Sequence, residues 1–98
     1  MRKIVTAALL LAAVIAAMAT AEWRARGRAQ AFCERFAVGG EMAAVRAAAS
    51  AEGDRLLRSL QPDRISVGYT GLPPFSRHLC VIESREGRIV AVRRVRLD

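Results

Sequence analysis

Arg64-Ile65-Ser66-Val67-Gly68-Tyr69-Thr70 is the stretch at which the chain changes its repeat. Ile65, Val67 and Tyr69 alternate with Ser66, Gly68 and Thr70, a period of two that predicts a half-buried β-strand. Upstream of Pro62 the apolar residues recur at helical spacing, and downstream they recur at strand spacing. The fold class that follows is α+β, with helices first and an antiparallel sheet second.

Toward the C-terminus, Gly71-Leu72-Pro73-Pro74-Phe75-Ser76 reads as a loop, because paired prolines cannot donate to a sheet ladder. His78–Glu83 predicts the next strand, with Cys80 and Ile82 on one face and Leu79 and Val81 on the other. Ser84-Arg85-Glu86-Gly87 is a hairpin turn, and Arg88–Leu97 returns as a long strand. In that strand Ile89, Ala91, Val95 and Leu97 share a face with Arg93, while Val90 and Val92 share the other with Arg94 and Arg96. A bulge near Val92–Arg94 reconciles the two phases. The result is a three-stranded antiparallel meander.

Toward the N-terminus, Ala29, Phe32, Cys33 and Phe36 fall at i, i+3, i+4 and i+7, the apolar stripe of a helix running from Glu22 to about Ala37. Val38-Gly39-Gly40 ends it, since glycine adopts the left-handed cap without strain. A second short helix is expected from Glu41 to about Glu52, with Met42, Val45 and Ala49 on one face and Gly53 closing it. Asp54 is placed to cap a third helical turn carrying Leu56, Leu57 and Leu60, stopped by Gln61-Pro62. Two short helices packed on the meander are therefore the expected architecture.

Arg2-Lys3 precedes an uninterrupted apolar run, Ile4–Ala21, containing no charge. Its layout is that of a secretory signal, and both Ala17-Met18-Ala19 and Ala19-Thr20-Ala21 match the small-residue pattern of a cleavage site. The same run, at about 1.5 Å per residue, nearly spans a hydrocarbon core of ~30 Å. Trp23 follows where an interfacial aromatic would sit, with Arg24, Arg26 and Arg28 just beyond. Gly27 alone interrupts the helical pattern, so an uncleaved chain would run as one long helix. Residues 1–21 are thus a signal peptide or a single transmembrane anchor, and 22–98 a small exported domain. The expected location is a single pass through the inner membrane with a periplasmic domain, or periplasmic or secreted after cleavage.

The chain of 98 residues has a net charge of +7, and the part beyond Ala21 carries fourteen of the sixteen basic residues and all nine acids, for +5. That part is one domain at most. At such a size only ~60% of the unfolded surface is buried on folding, which leaves a domain marginal without a staple. Cys33 and Cys80 are the only cysteines, and their spacing excludes a CxxC motif. Neither follows the apolar run in the manner of a lipoprotein anchor. In an oxidising compartment they read as one disulfide, closing a loop of about 47 residues that contributes ~4 kcal/mol by chain entropy. The alternative is two buried thiols acting as small apolar residues.

No residue set predicts catalysis, a metal centre or a cofactor. His78 is the only histidine, and with two cysteines it cannot complete a tetrahedral zinc site without carboxylate help. Ser76 lies two residues before it and Glu83 five after, which is no recognisable triad, so His78 reads as an exposed or structurally bonded strand residue. Glu34, Glu41, Glu52, Asp54, Asp63, Glu83 and Glu86 are dispersed. Gly39-Gly40 lacks the rest of a phosphate loop. The basic residues Arg93, Arg94 and Arg96 form the strongest charge feature; behind an export segment they point away from nucleic acid and read either as a solvated strand face or as a patch drawn to anionic lipid headgroups or an acidic envelope partner. Leu72, Pro73, Pro74 and Phe75 read either as cover for the sheet edge or as a protein-docking loop.

The order of export segment, helix, glycine turn (Val38-Gly39-Gly40-Glu41-Met42-Ala43-Ala44-Val45), helix and terminal meander resembles small bacterial envelope modules. It is similar to helix-helix-sheet units of the outer-membrane assembly lipoprotein and beta-lactamase-inhibitor-protein type, over most of Phe32–Leu97. That resemblance implies a small envelope module, and it assigns no functional residue. The sequence therefore leads to a non-enzymatic envelope protein, membrane-attached through residues 4–21, acting as a protein-binding or structural module. The alternative is a membrane-surface or anionic-ligand-binding module using the C-terminal arginines.

Overall fold

The computed structural model describes residues 1–71 and 76–97, so Leu72, Pro73, Pro74 and Phe75 lie outside the described residues. One helix, α1, runs unbroken over Arg2–Glu34 and gives the molecule an elongated shape of 66 × 21 × 21 Å. Gly27 does not break it. Glycine in a helix interior costs only ~1 kcal/mol relative to alanine, and Gly27 is flanked by good helix formers. The expected first short helix is thus the distal third of a much longer one. Its most apolar 18 residues have a mean hydropathy of 2.4, and none of that window is buried; α1 is long and apolar enough to cross a membrane. Beyond it, Ala29, Phe32 and Cys33 are buried, as their spacing predicts, together with Ala25 one turn earlier. Phe36, the fourth residue of the expected stripe, lies past the end of α1 and is half-buried.

Gly39, at φ 93°, turns the chain after α1. The second helix, α2, is shorter than expected, Met42–Ala49, with Met42, Val45 and Ala49 buried. Glu41 stays extended as its N-cap residue and bridges to Arg88 instead of joining the helix. Asp54 does cap a turn, accepting the Leu56 N–H at 3.2 Å, but the turn is a three-residue 3-10 segment, Arg55–Leu57. Leu60 leaves that turn and enters a short strand, β1 (Ser59–Leu60).

The sheet accordingly has four strands where three are expected: β1, β2 (Arg64–Thr70), β3 (Arg77–Arg85) and β4 (Arg88–Leu97), antiparallel in the order β1-β2-β3-β4. β1 is too short to show a period of two, and it exists because Ser59 and Leu60 pair with Ser66 and Ile65. The β3–β4 hairpin closes on Glu86 (φ 55°) and Gly87 (φ 78°), the left-handed pair that a two-residue turn requires.

The bulge falls at the hairpin end of β4, not near Val92–Arg94. Ser84 pairs with Ile89 and Glu83 with Ala91, leaving Val90 as the extra, exposed residue. Ile89 is held there from its other side, because its N–H donates to Gly40 O and its C=O accepts from Gly39 N, each at 2.8 Å. After the bulge Val92, Arg94 and Arg96 stand opposite Ile82, Cys80 and His78 on the face turned to α1.

That face holds the main core. Ile65, Val67, Cys80, Ile82 and Ile89 pack with Phe32, Met42, Val45 and Ala49. The Cys33–Cys80 disulfide is formed, with 5.6 Å between Cα atoms, and joins α1 to a central strand. On the opposite face the 3-10 turn lies over Gly68, where any side chain would collide with Leu57 and Leu79.

Candidate functional site at the helix–sheet junction

β4 runs antiparallel to β3 and so brings its C-terminal end to the start of β3. Arg77 pairs there with Leu97, and His78 with Arg96. α1 reaches the sheet at the same place. Glu22 is the first residue beyond the apolar run, and on α1 it stands three and seven residues ahead of Ala25 and Ala29, in phase with the buried stripe. Its carboxylate meets β3 directly: Oε1 lies 2.6 Å from His78 Nε2 and accepts from Ser76 Oγ at 2.8 Å. Arg96 approaches the same oxygen at 3.6 Å. The backbone leaves just enough room, since a side chain at Gly71 would run into the Glu22 carboxylate. Gly71 N–H in turn donates to Ser76 O at 2.9 Å, closing the neck of the β2–β3 loop.

Glu22, Ser76 and His78 are residue types found in hydrolytic relays, but their arrangement is different. In a relay the hydroxyl and the carboxylate occupy different nitrogens of the imidazole. Here Glu22 and Ser76 both meet Nε2, with Ser76 Oγ 3.3 Å from it, and the serine proton goes to the carboxylate. Ser76 is 3% exposed and His78 7%. What the geometry makes is a clasp: one carboxylate on α1 receives two donors, one from Ser76 just ahead of β3 and one from His78 in β3. His78 is indeed structurally bonded, and it is buried rather than exposed.

The clasp is missing from the sequence reading because 54 residues separate Glu22 from Ser76 and 56 separate it from His78. One signal was present. Glu22 is the sole acid among the first 33 residues, and it stands on the phase of the stripe. An isolated carboxylate on a packing face needs a partner.

Beside the clasp lies a groove of about 630 Å³ between α1 and β4. Ala19, Glu22, Trp23 and Arg26 line it from the helix, and His78, Arg94 and Arg96 from the sheet. Arg94 donates to Gln30 Oε1 at 3.0 Å, a neutral acceptor. The structure therefore splits the C-terminal arginines. Arg94 and Arg96 face this groove, whereas Arg93 stands on the opposite face and pairs with Glu83 at 2.7 Å.

A second groove, about 850 Å³, follows the other flank of α1 and includes Arg24, Arg28, Arg35, Glu52, Asp54 and Tyr69. Two carboxylates, Glu52 and Asp54, share it with three arginines, of which Arg35 is paired. Arg35 lies 3.6 Å from Glu52, Tyr69 OH donates to Glu52 at 3.1 Å, and Thr70 donates to Asp54 at 2.7 Å. The Thr70 hydroxyl and the Leu56 N–H hold the Asp54 carboxyl below its ordinary range. Burial, reinforced by Glu52, pushes the Tyr69 phenol up to about 12.

Among the described residues, no group of three or more metal-ligating side chains gathers in one place. Comparisons of the chain with protein-family models, with characterised proteins and with solved structures gave no match.

Proposed function

We propose that this chain is a non-enzymatic bacterial envelope module that stays anchored by α1 and works at the bilayer face. The observation that carries this reading is the position of the α1–β4 groove. It begins at Ala19, inside the apolar run, and rises past Trp23 to Arg26, Arg94 and Arg96. Apolar residues, an interfacial aromatic and arginines in that order match the sequence of environments from hydrocarbon to headgroup. The membrane-surface reading is for this reason preferred to a protein-docking one, whose loop, Leu72–Phe75, lies outside the described residues.

The Cys33–Cys80 bond supports an oxidising compartment and hence an N-in orientation with the domain in the periplasm. The clasp is compatible with retention of α1, since Glu22 lies on the unbroken helix that continues from the apolar run.

Intact mass of the protein from separated membrane and soluble envelope fractions, without reductant and after thiol alkylation, tests this reading. Full-length mass in the membrane fraction with no alkylated thiol is the expected result. A chain lacking its first 19 or 21 residues would end the anchored reading, and two alkylated thiols would end the periplasmic one.

A further inference from the structure

We infer that the α1–β4 groove is a binding site for the phosphate of an anionic phospholipid. This inference rests on the anchored reading above and adds a ligand to it.

Charge comes first. Among the described residues, Arg26, Arg94 and Arg96 line the groove with one carboxylate, Glu22, which receives the His78 and Ser76 donors and lies 3.6 Å from Arg96. Arg26 makes no hydrogen bond or ion pair among the described residues, and Arg94 meets only the Gln30 amide. Three guanidiniums around one carboxylate leave the groove cationic, and planar guanidiniums suit the oxygens of a phosphate.

Direction comes second. Side chains on a helix lean toward its N-terminus, so Arg26 covers surface about one turn nearer the membrane than its own Cα. Seven residues of rise place Arg26 roughly 10 Å above Ala19, and a leaning side chain brings its charge back into the ~5–8 Å headgroup layer. β4 delivers Arg96 to the same level, because His78, its partner across the ladder, lies against Glu22.

Shape comes third. The groove continues downward onto Ala19 and Trp23, surfaces that suit glycerol and the first methylenes of an acyl chain rather than a free anion. Trp23 is 76% exposed, so the face is open to such a neighbour.

The second groove lacks this combination. Glu52 and Asp54 stand opposite its arginines. Arg93 is likewise spent on Glu83 across the sheet.

The test uses the full-length, disulfide-bonded chain in nanodiscs of phosphatidylcholine mixed equally with phosphatidylglycerol. The discs are dissolved in neutral detergent, and retained lipid is counted by native mass spectrometry. The expected result is one phosphatidylglycerol retained per chain in preference to phosphatidylcholine. Replacing Arg26→Gln should weaken retention about fivefold, and Arg26→Gln with Arg96→Gln at least tenfold, at the energy typical of a basic residue near anionic lipid. Arg93→Gln should leave retention unchanged.

Arg26→Gln keeps the test decisive should the double variant misfold, since Arg26 is exposed. Trp23, the only tryptophan, reports occupancy independently through its emission. Equal retention of the two lipids by an inserted chain would overturn the site while leaving the anchored reading intact. A Trp23 response to soluble glycerol phosphate equal to that for the lipid would overturn the lipid as ligand.

Discussion

The two parts of α1 share one backbone and follow opposite rules. From Ile4 to Ala21 every position is apolar or small, and the large apolar side chains, such as Leu9, Leu10 and Leu11, stand exposed. From Glu22 to Glu34 only Ala25, Ala29, Phe32 and Cys33 are buried, and arginines occupy much of the rest. Exposing so many large apolar side chains to water is unfavourable, at about 25 cal/mol per Å². The first part is compatible with a surrounding apolar phase, whereas the second fits one flat protein surface and water. A helix can serve both because its backbone hydrogen bonds are internal and indifferent to what lies outside. The transition is sharp: Ala21 ends one rule and Glu22 begins the other.

That difference can be broken most severely on the packed side. Phe32→Ala should destabilise the domain by about 3 kcal/mol, the lower end for a buried aromatic because Phe32 also borders the open groove on the Arg24 flank. The matched change Leu10→Ala should alter the domain's unfolding free energy by less than ~0.5 kcal/mol. Equal shifts for the two would show that the membrane-directed part is packed on the domain after all.

A smaller effect is expected at the boundary. Glu22→Ala leaves the His78 and Ser76 donors buried without their acceptor, a loss of about 2 kcal/mol in the same denaturation assay. No loss would mean that the domain does not need the helix beyond Ala25.

The least disruptive probe is Tyr69, the only tyrosine, which sits under the packed part of α1. Its phenol should titrate by tyrosinate absorbance near 12 rather than 10. The folded state then holds a proton that the unfolded state gives up, so this contribution to stability is complete below pH 10 and is lost between pH 10 and about 12. Tyr69→Phe should remove that part of the alkaline slope, and an ordinary phenol titration would show the packed side to be open to water.

Legibility followed locality. The stripe Ala29-Phe32-Cys33-Phe36, the alternation in Arg64–Thr70 and the turn at Gly39 are set by neighbours within a few residues, and their phases could be read directly. The Cys33–Cys80 pairing spans most of the domain yet was readable, because two cysteines leave a single choice. By contrast β1 has no pattern of its own, only a partner. The bulge went to Val90 because Gly39 and Gly40 seize Ile89 from outside the sheet, a tertiary cause that strand periodicity does not contain. The shift had a consequence for the site, since it decided which of Arg93, Arg94 and Arg96 face α1. The clasp needed the helix phase, the strand phase and the bulge together.

β4 is also the last strand of the sheet, ten residues long, and from Ala91 onward no other strand pairs with its outer edge among the described residues. An open edge of that length invites a second chain to add itself by main-chain pairing. Two chains approaching edge to edge along β4 would bring Arg93, Arg94 and Arg96 of each against those of the other, and like charges side by side repel. The same run that gives the groove its charge therefore guards the sheet against its own copies. Neutralising it should carry a cost in solubility that the folded monomer's stability would not register.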